Sequence, residues 1–227
     1  DHNLYFPDEE GREQRGIIIG EALPPIKKHF STLKALCESN ERLRGFWPTH
    51  FWPTPPKTHW NDMELRLPRA NPWPDDTFRC IGVGQAVTGA HPSYLIKDDL
   101  VTFEAANSDI TMNMAIDWHR LSRAMINKPN TREFIVGTRW AMYDLYSVIE
   151  EEDPSVEIYK RALIEPDDEG TEVITYPRFT GPDGVEYGHT WESIEALKKQ
   201  MGMMFTLLYL NKADDANLLD FSAKMLR

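Results

Sequence analysis

Apolar residues follow two rhythms along this chain. Ile17, Ile18 and Ile19, bounded by Gly16 and Gly20, form a short continuous β-branched run, which predicts a parallel strand buried on both faces. Leu23, Ile26, Phe30, Leu33 and Cys37 then recur at three- and four-residue steps, the stripe of an amphipathic helix. Pro24 and Pro25 fall in its first turn, where a missing N–H costs little. Strand followed by helix opens a βα unit. Residues 63–67 alternate apolar and polar as a half-exposed strand does, residues 78–83 supply another strand, and Tyr94, Leu95 and Ile96 begin a third. A helix is predicted over residues 104–127, with Met112, Ala115, Trp118, Leu121 and Met125 on one side and Lys128-Pro129-Asn130 as its stop. Residues 133–137 form the next strand, and Met142, Leu145 and Ile149 mark the helix after it, closed by the acids at 150–153 and by Pro154. Residues 156–164 read as a further strand. Past an acidic turn and a Gly/Pro-containing loop, Thr190 is placed as an N-cap, and Trp191, Ile194, Leu197, Met201 and Phe205 continue as one helix. The alternation predicts an α/β fold with a mostly parallel central sheet and helices on both faces.

Two segments resist this pattern. Residues 46–60 hold four prolines, three tryptophans and two histidines, so no regular central element fits there. They read either as an aromatic binding platform, with His50 and His59 as a metal pair, or as a proline-rich surface excursion whose rings pack on the domain. Residues 82–89 (GVGQAVTG) resemble a phosphate loop at first glance. They lack the Lys-Ser/Thr pair and lead into Pro92 and a strand, which favours a tight connection between adjacent strands. No G-x-x-x-x-G-K-[ST] sequence occurs anywhere in the chain.

Composition narrows the class. The 227 residues are 41% hydrophobic, enough for one large α/β domain or one domain with appendages, and residues 1–15 are a polar, aperiodic lead-in. A net charge of −11 argues against a surface that coats nucleic acid, although basic residues gather at Arg120, Arg123, Lys128 and Arg132 and again at Lys198 and Lys199. Cys37 and Cys80 have no metal-ligand spacing, which fits a reducing compartment. With no run of 18 apolar residues and no signal-like start, the expectation is a soluble chain with no membrane partner.

The residues with the most chemical content stand at two strand ends. Apolar residues before Asp98-Asp99 place both carboxylates at the carboxyl edge of a parallel sheet, where ligands bind in such folds. Asp98 can hold Mg²⁺ and Asp99 can orient or deprotonate an attacking water. Two acids in a turn can also be merely solvated. Thr138-Arg139-Trp140 ends the next strand by the same geometry, and a threonine hydroxyl there can contact a γ-phosphate or a lytic water. Arg139 can instead form a structural ion pair with Asp98 or Asp144, and Trp140 can be core.

Taken together, GVGQAVTGAHPSYLIKDDLVTFEAANS (residues 82–108) and FIVGTRWAMYDL (residues 134–145) resemble the large terminase subunit of tailed bacteriophages. The shared pattern is a glycine-containing strand, Thr-Gly, an apolar strand ending in Asp-Asp, Glu-Ala-Asn-Ser opening a helix with Trp118 in register, and a strand ending in Thr-Arg-Trp with Asp-Leu beyond it. Weaker similarity runs through residues 16–40 and 189–211. The resemblance implies a P-loop-NTPase-like (ASCE-type) ATPase-domain portion over residues 16–215, with 216–227 starting a linker. It implies ATP and Mg²⁺ as cofactors and Asp98 and Asp99 as the Walker B acids and metal ligands. Asp99, Thr138 and Arg139 would be catalytic, with Asp98, Thr138 and Trp140 binding the nucleotide. It further implies double-stranded viral DNA, the portal protein and the small terminase subunit as partners, a homo-oligomeric ring, and a place in the host cytoplasm on the procapsid. The family's Walker A lysine and adenine-contacting segment are expected before Asp1, so the fold is incomplete at its N-terminal side. Its RNase H-like nuclease is expected after Arg227. Lys97 stands where the family usually has an apolar residue. Two other readings are a non-catalytic, degenerate or split-gene module that binds partners, and a nuclease using Asp98, Asp99 and Asp117 with Mg²⁺.

Overall fold

A computed structural model describes residues 14–69, 74–85, 90–126 and 131–212. The chain divides into two compact units, Asp1–Gly137 and Thr138–Arg227.

The first unit is built on a five-stranded sheet. Its strands are β1 (Gly16–Gly20), β2 (Glu64–Leu65), β3 (Phe78–Gly82), β4 (Tyr94–Asp98) and β5 (Arg132–Val136), in the order β2-β3-β1-β4-β5. All neighbours are parallel except β2, which pairs antiparallel with β3. The isoleucine run is therefore β1, the middle strand, with Ile19 fully buried. Helix α1 (Leu23–Ser39) follows it and begins on the two prolines. Its Ile26, Phe30 and Cys37 pack with Phe78 and Cys80 of β3 and with Ile18 on one face of the sheet. Full burial of a Phe such as Phe30 contributes about 1.5–3 kcal/mol. Gly20 is required where helix and strand meet, because a Cβ there would lie 2.3 Å from the Ile26 side chain.

The opposite face carries Leu95 and Lys97 of β4, and helix α4 (Asp109–Ser122) reaches it through His119. The β1-to-β3 and β4-to-β5 crossovers run in opposite directions along the sheet and lie on opposite faces, as right-handed connections require. The helix expected over 104–127 is broken: α3 (Phe103–Ala106) stops at Asn107, and Ser108 caps α4 by accepting the Thr111 N–H. Residues 82–85 do not begin a link between adjacent strands, as the sequence suggested, because β3 and β4 flank β1 and the connection between them must cross it. Residues 86–89 of that segment lie outside the described residues. The 46–60 segment packs on the domain, with α2 (Glu41–Phe46) leading into it and Phe51 buried beside α1.

Among the described residues past Gly137, none joins the large sheet. Residues 156–163 are irregular rather than a strand. The strands that follow form two separate hairpins, β6 (Ile164–Pro166) with β7 (Glu172–Ile174) and β8 (Phe179–Thr180) with β9 (Glu186–Tyr187). Helix α5 (Leu145–Glu152) precedes them. The late helix is also two helices, α6 (Trp191–Met201) and α7 (Met203–Leu210), divided at Gly202, whose φ of 56° lies where glycine is favoured. Thr190 caps α6 as expected, in a reciprocal box with Ser193. Leu163, Ile194 and Phe205 form the centre of this unit's core.

Candidate active site

Parallel register fixes where the first pair of candidate acids stands. Asp98 is the last residue of β4 and lies opposite Gly20 of β1 and Val136 of β5, so it occupies the carboxyl edge of the sheet between those two strands. Asp98 is half-buried and Asp99 is exposed. Below the edge Leu100 and Val101 are fully buried and anchor the turn. Asp99 has φ 44°, a left-handed conformation that Asp tolerates better than most side chains do. Its peptide is tied on both sides, since its N–H donates to Val136 O at 3.0 Å and its carbonyl accepts from Glu21 N at 3.3 Å.

That last bond brings a third acid to the same edge. Glu21 directly follows β1, and its Oε1 accepts from the Thr102 hydroxyl at 3.1 Å. The sequence carried no signal for it beyond its position after a strand. Asp98, Asp99 and Glu21 offer carboxylate oxygens, the donor set that Mg²⁺ takes. The turn at 82–85 does not suit the phosphates in the same way. The Gly82 N–H donates to Gln85 Oε1 at 2.8 Å, so an amide that a phosphate would need is already used.

Lys97 lies directly beneath the acids and is fully buried. Its ammonium pairs with Glu133 of β5 and donates to His119 Nδ1 at 3.0 Å, joining two strands and α4. An ammonium only donates, so Nδ1 accepts and the ring proton is on Nε2. Burial pushes the Lys97 ammonium below its usual range, Glu133 opposes this, and Arg123 adds to it. Lys97 is thus a buried lysine whose partners are supplied by β5 and α4.

The second group, Thr138, Arg139 and Trp140, opens the second unit two residues after Val136 in the chain. There Asp144 is the organising side chain. It is fully buried and caps α5, accepting from the Tyr146 and Ser147 N–H groups at 3.1 Å each. It also accepts from Arg139 Nε at 3.0 Å, Trp140 N at 3.2 Å and Ala141 N at 3.4 Å. Arg139 Nη2 donates to Ala141 O and Met142 O. Of the two partners that the sequence offered Arg139, the structure selects Asp144.

The fold and this edge define an α/β protein with a mostly parallel five-stranded sheet that presents acids at its carboxyl ends. No family model matches the chain, and no curated protein matches it. Among the described residues no helix is long and apolar enough to cross a membrane.

Proposed function

We propose that this chain is the Walker B portion of a viral DNA-packaging ATPase of the large-terminase type, which couples ATP hydrolysis to movement of double-stranded DNA into a procapsid. The observation that carries the reading is the placement of Asp98-Asp99 at the carboxyl end of a strand flanked on both sides by parallel partners. The left-handed backbone at Asp99 supports it, because side chains held in sparsely populated conformations concentrate at functional sites. When bound, ATP would supply the γ-phosphoryl group, and Mg²⁺ held by the acids would offset the negative charge of the phosphates. By the resemblance, Asp98 would hold the ion, Asp99 would orient and deprotonate water, and Thr138 would contact the γ-phosphate. Arg139 and Trp140 belong to the segment that links turnover to DNA movement. Glu21 joins the acids as a further oxygen donor.

The open side of the sheet supports the same reading. Among the described residues β5 has no neighbour on its outer side, and its Phe134 and Val136 remain 49% and 59% exposed. A strand laid beside β5, with a helix returning to β1, would cover that face, because its crossover would run in the same direction as the one through α1. A phosphate-binding βα unit would fit there.

One observation favours a second reading, the non-catalytic partner-binding module. Arg139 has Nε on Asp144 and Nη2 on two carbonyls, so its guanidinium is engaged without a phosphate. Titration of this chain with Mg²⁺–ATP by calorimetry separates the two. The motor reading expects weak Mg²⁺-dependent binding that Asp98→Asn removes. Binding unchanged by that substitution, or no Mg²⁺-dependent binding, favours the module.

A further inference from the structure

At the opposite, amino edge of the sheet, three side chains of metal-ligand type converge from three different stretches of the first unit. His59 closes the proline-rich segment, Glu64 opens β2, and Asp76 lies two residues before β3. One ligand atom from each falls within 4.8 Å of the others. We propose that His59, Glu64 and Asp76 form a binding site for a divalent transition-metal ion of the zinc type, separate from the acids at the carboxyl edge.

The spacing supports coordination. His59 Nδ1 stands 2.9 Å from Asp76 Oδ1 and 3.9 Å from Glu64 Oε2. Ligands about 2.0–2.1 Å from a tetrahedral ion are about 3.3 Å apart, a value between those two separations. His59 Nδ1 is buried and makes no hydrogen bond, even with Asp76 so close. A ring nitrogen facing two carboxylate oxygens without donating to either is arranged as a lone pair arranged around a cation would be.

The surroundings hold the ligands in place. Arg66 Nε donates to Asp76 Oδ1 at 2.9 Å, the kind of outer hydrogen bond that orients a ligating carboxylate. Asn61 Oδ1 accepts from Met63 N and Glu64 N, and Arg66 N donates to His59 O, so the turn that brings His59 and Glu64 together is closed by backbone bonds. All three ligands line one cavity of about 190 Å³, whose wall also carries Arg15, Arg79 and His91. Three protein ligands on a cavity leave coordination positions for water or a small anion, the arrangement of an open rather than a closed zinc site. One imidazole with two carboxylates favours zinc or a neighbouring transition metal over Mg²⁺, which prefers oxygen donors alone.

The test uses the whole chain, stripped with a chelator and titrated with Zn²⁺ by calorimetry, with Mg²⁺ in parallel. One zinc per chain is expected, with the melting temperature rising on saturation. His59→Gln and Glu64→Gln, both at partly exposed positions, are each expected to weaken affinity by at least about tenfold. Visible absorption of the unmodified chain with Co²⁺ gives a readout independent of any variant folding, and a four- or five-coordinate spectrum is expected. No zinc heat and no Co²⁺ spectrum would overturn the site and leave His59 only a neighbour of Asp76 and Glu64. Zinc binding that survives both substitutions undiminished would overturn it equally.

Discussion

Two acids of this chain, Asp99 directly after β4 and Asp144 at the N-cap of α5, have opposite surroundings. Asp144 is fully buried, and five donors from Arg139 and the flanking backbone consume its oxygens. Asp99 is exposed at the edge of the sheet, and its backbone N–H and carbonyl are tied to Val136 and Glu21. The first acid lies in the interior and organises structure, and the second stands at the exposed edge of the sheet. Residue type does not separate them; burial does.

The largest effect that would break the comparison is at Asp144. Asp144→Ala strands a buried guanidinium and removes a helix cap, so a loss of about 3–5 kcal/mol in the second unit is expected by chemical denaturation. A loss under about 1 kcal/mol would mean that the network is decorative. Asp99 gives a smaller and more specific outcome. Asp99→Asn tolerates the left-handed backbone and should leave stability within about 0.5 kcal/mol. Asp99→Ala should cost about 1–2 kcal/mol through its φ alone.

A third kind of carboxylate sharpens the contrast at the small end. Asp183 is exposed, yet hydrogen bonds from Tyr187 and from the Val185 amide hold it below the usual carboxylate range. The charged form is favoured in the folded state, so its small contribution is present at neutral pH and is lost as pH falls through the folded titration. NMR titration should show Tyr187→Phe moving that midpoint up toward the ordinary value.

Much of the first unit was legible because its cues were local. The isoleucine run, the helix stripe behind the two prolines, and the strands ending at Asp98 and near Gly137 all survive in the structure. Missed features depended on partners distant in sequence or on single breakers. Glu21 reaches Asp99 only because β1 and β4 pair, and Lys97 is tolerated only because His119 and Glu133 meet it. The helix breaks at Asn107 and Gly202 come from one residue each, which an apolar periodicity of 3.6 passes over. The strand predicted over 156–164 failed because β-branched composition without a neighbouring edge does not make a strand. The site residues divided in the same way. Register alone placed Asp98, whereas the role of Arg139 turned on which acid it reached.

The central claim is that the carboxyl edge of β4 binds a divalent ion through Asp98 and Asp99. Manganese, a paramagnetic stand-in for Mg²⁺, broadens the NMR signals of amides near where it binds. The account predicts that the amides of Gly20, Glu21, Asp98 and Asp99 broaden before those of the exposed acids Asp167, Asp168 and Glu169, and that Asp98→Asn with Asp99→Asn abolishes the effect. Sharp signals at the β4 edge when those surface acids already broaden, or broadening that persists in the double variant, would contradict it.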